Sequence, residues 1–146
     1  MYSNILIPID LEHLEMFPRA VAVARQLFGT EGGTIHSLYV DTNHVHNTMF
    51  GQYSSEMADK VRNDMKHRVA EVFEQNVPAD VRGTCHIRNG VIYDEILEEE
   101  KRIQPDVILI AAGKPGISSY LLGSNAEKVL RHAQGNVFVI RDNKTW

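Results

Sequence analysis

The chain has 146 residues, of which 43% are hydrophobic, and its formal net charge is -4. This is the length of one compact domain, so we expect a single domain over residues 1–146. The acidic balance argues against nucleic acid as a partner, and no apolar run approaches the ~18 residues of a membrane span. The first residues lack the pattern of a signal peptide, so we expect a cytoplasmic location.

Apolar runs alternate with helical patterns from the first residues onward. The run at residues 4–9 predicts a buried strand, in which Pro8 indicates a bulge or the strand end just before Asp10. Apolar residues at helical spacing then predict a helix at 17–28, and a second apolar run predicts a strand at 34–40.

The same alternation continues through the rest of the chain. Residues 42–54 have no clear period and indicate a loop, whereas helical spacing returns at 55–75. The remaining predicted elements are strands at 84–88, 107–112 and 136–141 and helices at 93–103 and 124–133. This order predicts an α/β fold with a single open, doubly wound, five-stranded parallel sheet and helices on both faces. Such sheets bind ligands beyond the carboxyl ends of their strands, where the strand order reverses.

Glycines follow the fourth predicted strand, at that edge of the sheet. Gly113 and Gly116 bracket Lys114, and a Gly-Ser pair at 123–124 opens the next helix. Close backbone approach, a helix N-terminus and a lysine together suit a phosphate group. The pattern is neither a Walker A loop nor a GxGxxG fingerprint. Two simpler interpretations stay open, namely an ordinary turn at GKPG and a helix capping box at 124–127.

Other polar residues give weaker signals. Asp10 suits either a turn after the first strand or a ligand contact at the sheet edge. We expect the lone Cys85 to be buried rather than reactive, and the acidic run at residues 98–100 to form a solvated helix face. No set of Cys and His residues completes a zinc site, and no nucleophile lies beside a base, so we predict no metal ligands and at most slow catalysis.

Three strings, NILIPID, PDVILIAAG and YLLGSNAEKVLRHAQGNVFVIR, resemble the universal stress protein family, and the resemblance covers essentially the whole chain. The last string is similar to small single-domain bacterial members with an LLGSNA motif. The resemblance implies a stress-response regulatory protein that binds ATP, with Mg²⁺ bridging the phosphates and slow or no hydrolysis. It also implies a homodimer formed through the C-terminal strand at 136–141, an apolar sheet edge.

The resemblance also implies nucleotide contacts, position by position. The ATP-binding branch has a motif of G-x-x-G, nine residues and G-[ST] around the triphosphate and ribose, while the acid after strand one and the end of strand two receive the adenosine. The contacts implied here are Pro8, Asp10, Val40, Ala111, Gly113, Lys114, Gly116, Gly123, Ser124 and Asn125. The front of the motif departs from the pattern, because only six residues separate Gly116 from Gly123. The second family glycine then falls on Gly113 and the first on Ile110 or Ala111.

Two other functions are alternatives to this one. The altered loop is also compatible with a homodimer that binds no nucleotide and acts through protein partners. A response-regulator receiver has the same alternation of strands and helices, but it needs a second acid after Asp10, where this chain has Leu11, and a lysine after the last strand, where it has Arg141. The receiver pattern therefore fails.

Overall fold

Three ranges of the chain, residues 2–42, 55–112 and 123–141, are described by the computed structural model. Their strands are β1 (Asn4–Pro8), β2 (Thr34–Asp41), β3 (Arg82–Asn89), β4 (Val107–Ala111) and β5 (Asn136–Ile140). Their helices are α1 (Met16–Leu27), α2 (Ser55–Asn76), α3 (Ile92–Ile103) and α4 (Ser124–His132), with a short 3-10 turn at Ala79–Val81. The predicted elements are thus confirmed, with ends that differ by one or two residues. The predicted loop at 42–54 lies outside the described residues beyond Thr42.

The strands form one parallel sheet in the order β3-β2-β1-β4-β5. The chain first moves outward from β1 to β3 and then returns to the other side of β1, where Ile5 pairs with Val107 of β4. The strand order therefore reverses between β1 and β4, as in a doubly wound sheet. The predicted α/β fold is confirmed.

Helices cover both faces of this sheet because the side chains of its strands alternate in direction. Ile5 and Ile7 of β1 lie in one core cluster with residues of α1 and α2, whereas Leu6 lies in a second cluster with residues of α3 and α4. Continuous apolar runs such as VILIA in β4 are buried on both sides for this reason. In the described part of the chain, no helix is both long and apolar enough to cross a bilayer.

Two strand ends explain small differences from the predicted bounds. Pro8 is the last residue of β1, and the N–H of Ile9 still donates to the Leu38 carbonyl at 2.8 Å, so the chain continues beside β2. β3 begins two residues earlier than predicted, at Arg82, because the register shifts opposite β2 and accommodates one extra residue. At this bulge the N–H of Thr84 donates to Nδ1 of His36 at 3.0 Å.

The predicted solvated face at residues 98–100 is wrong for Glu99, which is only 1% exposed. Its carboxylate lies 2.8 Å from Nδ1 of His86, 3.2 Å from Nη1 of Arg88 and 2.5 Å from Nη2 of Arg102. Burial alone would raise the pKa of this carboxyl, but the hydrogen bonds from Arg102 and His86 outweigh it and hold the pKa below its usual value. A buried carboxylate is tolerated here because cations from β3 and α3 surround it.

The prediction is wrong for Glu100 as well, since it is only 5% exposed. Its two carboxylate oxygens accept the backbone N–H groups of Gln134 at 3.1 Å and Gly135 at 2.8 Å. Glu100 thereby ties α3 to the turn that leads into β5. Only Glu98 of the three is exposed, as predicted, and it pairs with Lys101.

Candidate functional site

The site predicted from the sequence lies at the carboxyl ends of β1 and β4, where the strand order reverses. Near this edge, α1 and α4 lie on opposite faces of the sheet. A cleft of about 550 Å³ opens between them. Its position is the one that the topology of an open α/β sheet favours for ligands.

Seven of the ten predicted contact residues line this cleft. They come from the end of β1, the end of β2, the end of β4 and the start of α4, and they are Pro8, Asp10, Val40, Ala111, Gly123, Ser124 and Asn125. The other three, Gly113, Lys114 and Gly116, lie outside the described residues. The structure therefore brings together side chains that are up to 117 positions apart, between Pro8 and Asn125.

The loop after β1 carries the acidic side of the cleft. Asp10 caps a turn, because its Oδ1 accepts the N–H of Glu12 at 2.9 Å and its Oδ2 lies 2.8 Å from Nδ1 of His13. The turn interpretation of Asp10 is thus confirmed. Its side chain nevertheless remains 61% exposed, so the carboxylate is also accessible to a ligand in the cleft.

Three polar residues of this loop, Glu12, His13 and Glu15, also line the cleft and were missed by the sequence reasoning. Asp10, Glu12 and His13 each offer one oxygen or nitrogen ligand atom, and these atoms all lie within 4.8 Å of one another. This is the spacing of groups that share a cation. The described residues that line the cleft include three carboxylates and neither lysine nor arginine. A phosphate group therefore fits best away from this loop, or together with a divalent cation.

The start of α4 forms the opposite side of the cleft. Gly123 is its N-cap, with φ -58° and ψ 151°, and its carbonyl accepts the N–H of Glu127 at 2.9 Å. The capping-box interpretation of residues 124–127 does not hold, because Ser124 is the first helical residue and not the N-cap. The first N–H groups of a helix have no partner within the helix, and they carry partial positive charge. This end of α4 therefore suits an anionic group.

An apolar wall, which the sequence reasoning did not assign, completes the cleft. Ile92 and Ile96 come from the first two turns of α3, where Ile96 is buried and Ile92 is half-buried. Their position could have been predicted from the order of elements, because α3 follows the carboxyl end of β3 and so begins at the same edge of the sheet as the cleft. A wall of this kind suits a flat, uncharged group such as an aromatic ring.

Burial shifts the pKa of one tyrosine and of the cysteine. Burial raises the pKa of Tyr39, which lines the cleft, and the carboxylates of Asp41 and Asp10 raise it further. Its hydroxyl therefore stays protonated at neutral pH. Burial also raises the pKa of the Cys85 thiol to about 11, which disfavours the reactive thiolate, although the residue is half-buried and not buried as expected.

Comparison with known proteins gives matches over nearly the whole chain. The universal stress protein family matches residues 1–141. Universal stress protein G of Escherichia coli O157:H7 is 29% identical over 143 residues, which are 97% of this chain and 100% of the relative.

Solved structures show the same fold. Universal stress protein UspA from Lactobacillus plantarum is 25% identical, with a TM-score of 0.62 over 96% of this chain and 98% of its own. A universal stress protein in complex with cAMP is 13% identical, with a TM-score of 0.59 over 96% of this chain and 97% of its own. The family match, the relative of nearly equal length and the shared fold agree with the resemblance drawn from the sequence. This chain belongs to the universal stress protein family.

Proposed function

We propose that this protein is a stress-response regulatory protein that binds an adenine nucleotide, ATP, in the cleft between β1 and β4. The observation that carries the proposal is the convergence of seven predicted contact residues from four separate segments on one cleft. A cleft with an apolar wall, exposed acceptors and a helix N-terminus matches the three parts of a nucleotide, which are the base, the ribose and the phosphates.

Each part of the nucleotide has a matching part of the cleft. The base lies between the end of β2 at Val40 and the wall formed by Ile92 and Ile96. The exposed Asp10 carboxylate accepts hydrogen bonds from ribose hydroxyls, and the N–H groups and hydroxyl at Ser124 donate to phosphate oxygens. Asp10 and Glu12 would hold Mg²⁺ beside the phosphates, and its positive charge would reduce the repulsion between the phosphates and the acidic loop. The family relative solved with cAMP supports an adenine ring as the recognised group.

The proposal includes slow or no hydrolysis of the nucleotide. In this proposal, nucleotide occupancy regulates the protein, which acts in the cytoplasm as a single domain. A function of this kind needs tight binding and slow release rather than turnover.

Calorimetry with purified protein, stripped of any nucleotide, tests the proposal. ATP with Mg²⁺ is expected to bind saturably, GTP much more weakly, and Gly123→Val to abolish binding. Gly123 has φ -58°, which valine adopts readily, so the substitution fills the phosphate end of the cleft without backbone strain. The matched control is Ala22→Val, on the exposed face of α1 and away from the cleft. Well-folded protein that binds no adenine nucleotide would refute the proposal.

A specific observation favours a homodimer formed through β5, with or without nucleotide. β5 is at one end of the sheet, and Phe138 on it is 42% exposed, so an exposed apolar side chain lies beside the free edge of the strand. Such an edge pairs readily with a second copy. The alternative function also includes this dimer, since it is a homodimer that acts through protein partners and binds no nucleotide.

Sedimentation velocity tests the dimer. Phe138→Lys places a charge on the exposed edge and is expected to convert a dimer to a monomer. Val61→Lys, at a somewhat more exposed apolar position on α2, is the matched control and is expected to leave the dimer intact. A monomeric wild-type protein would contradict this part of the proposal.

A further inference from the structure

The corner between β3 and α3 connects two walls of the cleft through one residue, Arg88. Along the sheet, Arg88 pairs with Val40 at the end of β2, which lines the cleft. Between the sheet and α3, its Nε lies 2.7 Å from Oε2 of Glu95 and its Nη1 lies 3.2 Å from Oε2 of Glu99. Arg88 itself does not line the cleft in the part of the chain that the structure describes.

The two glutamates belong to the helix segment that carries the apolar wall. Ile92 and Glu95 are three residues apart, as are Ile96 and Glu99, so both pairs lie on the same turns of α3. Movement of this segment relative to β3 would therefore move Ile92 and Ile96 relative to the end of β2. The side chain of Arg88 fixes this spacing with two charge-assisted hydrogen bonds.

The turn at Gly90 is adapted to the same contact. Its N–H donates to the Asp41 carbonyl at 3.2 Å, which joins the turn to β2. Gly90 has φ +149°, and a Cβ there would lie 2.7 Å from Oε1 of Glu95. The positive φ favours glycine at this position, and the absence of a Cβ lets the Glu95 carboxylate lie close to the turn. The backbone hydrogen bond, the turn and the ion pairs thus hold the end of β2, the end of β3 and the start of α3 together.

We propose that Arg88 is a positioning residue that sets the gap between Val40 and the Ile92–Ile96 wall, and thereby the selectivity of the cleft for a purine ring. This inference rests on the proposed function, because it concerns the base-binding part of that same site. Arg88 acts on the ligand only through α3 and β2. A gap held at one width favours the base that fills it, whereas a loosened gap discriminates less between large and small bases.

Competition against a fluorescent ATP analogue, with ATP and CTP as competitors, tests the proposal. The readout is the ratio of the two affinities, which a general loss of stability does not change. Arg88→Met keeps the aliphatic length but removes both ion pairs. We expect it to weaken ATP binding about tenfold, the size of a lost contact in an apolar pocket, and CTP binding by less. Arg88→Lys keeps the charge and is expected to restore most of the ratio.

The matched control is Arg102→Met. Arg102 also pairs with Glu99, but it lies in the last turn of α3, away from the cleft, and 48% of its side chain is exposed. If Arg88 were merely structural, both variants would leave the ratio unchanged, and the proposal would be overturned. A fall in the ratio for Arg88→Met alone supports it.

A milder variant keeps the test decisive if Arg88→Met does not fold. Glu95→Gln weakens the Arg88 pair from the side of α3 and leaves Glu99 with its partners. It is expected to lower the ATP to CTP ratio in the same direction, and an unchanged ratio would overturn the proposal. Failure of the proposed function would look different, because the wild-type protein would then bind neither nucleotide.

Discussion

The chain has two acidic regions that look alike in sequence and differ completely in the structure. The loop after β1 exposes its carboxylates at Asp10, Glu12 and Glu15, and they face the cleft. The run on α3 buries Glu99 and Glu100 among arginines, a histidine and backbone N–H groups. Carboxylates in the first region keep their charge available to a ligand, whereas those in the second use it to hold secondary-structure elements together.

The difference shows what distinguishes a binding group from a structural one. Glu99 has a partner on every side, so it has no capacity left for a ligand. Asp10 is held by a turn and a histidine yet remains mostly exposed, so its orientation is fixed while its charge stays accessible. A binding site requires side chains whose orientation is fixed and whose polar atoms remain accessible to a ligand.

The largest expected effect is on the buried region. Glu99→Gln keeps the size of the side chain but removes the charge that three partners share, and we expect the free energy of unfolding to fall by about 2 kcal/mol. Urea denaturation measures this change, with an unchanged dependence on denaturant. Glu98→Gln, one residue earlier and exposed, is the matched control and should unfold like the wild type. Equal stabilities of the two variants would contradict the comparison.

An intermediate effect is expected from acid. Hydrogen bonds from the N–H groups of Ser3 and Asn4 lower the pKa of Asp106, and those from Arg102 and His86 keep the pKa of Glu99 low despite its burial. A lowered pKa in the folded state means that the stabilisation is complete above the ordinary pKa of 4.5 for Glu99 and 3.8 for Asp106. It is lost as the pH falls through the folded-state values.

The acid effect should therefore differ between variants. The wild type is expected to lose stability as the pH falls below about 4.5, and Glu99→Gln should lose less over the same range, because one of the titrating groups is absent. Thermal melting at a series of pH values measures both slopes. Parallel slopes would mean that folding does not lower the pKa of Glu99.

The smallest effect is expected in the exposed region, where stability should not change at all. Glu12→Gln removes one carboxylate from the loop beside the cleft, so we expect an unchanged melting temperature and about twofold tighter binding of ATP at low salt. At high salt the gain should disappear because exposed charges are screened. A clear loss of stability would place Glu12 in the same class as Glu99.

The sequence predicted the sheet well because its signals are local and strong. Runs such as VILIA before the glycines and the helical spacing of α1 do not depend on the rest of the fold. The position of the cleft also followed, since the carboxyl ends of parallel strands meet at one edge. Strand ends were less certain, because the bulge near Thr84 depends on a histidine in the neighbouring strand.

The contacts of α3 could not be predicted in this way. EEE on a helix has the same composition whether it faces water or cations, and only the tertiary fold brings His86 and Arg88 to Glu99. The apolar wall was missed for a related reason, since Ile92 and Ile96 resemble ordinary core residues. The role of Ser124 was also ambiguous, because a capping box and a first-turn serine have the same sequence.

The two edges of the sheet are not equivalent, and this limits how copies of the chain can assemble. At the β3 edge, a bulge interrupts the ladder and Arg82 is bound to the carbonyls of Glu74 and Val77, so the strand is poorly shaped for pairing. The β5 edge is regular and apolar. If copies of the chain pair through β5, as we propose, growth through this one edge closes after two copies related by a twofold axis.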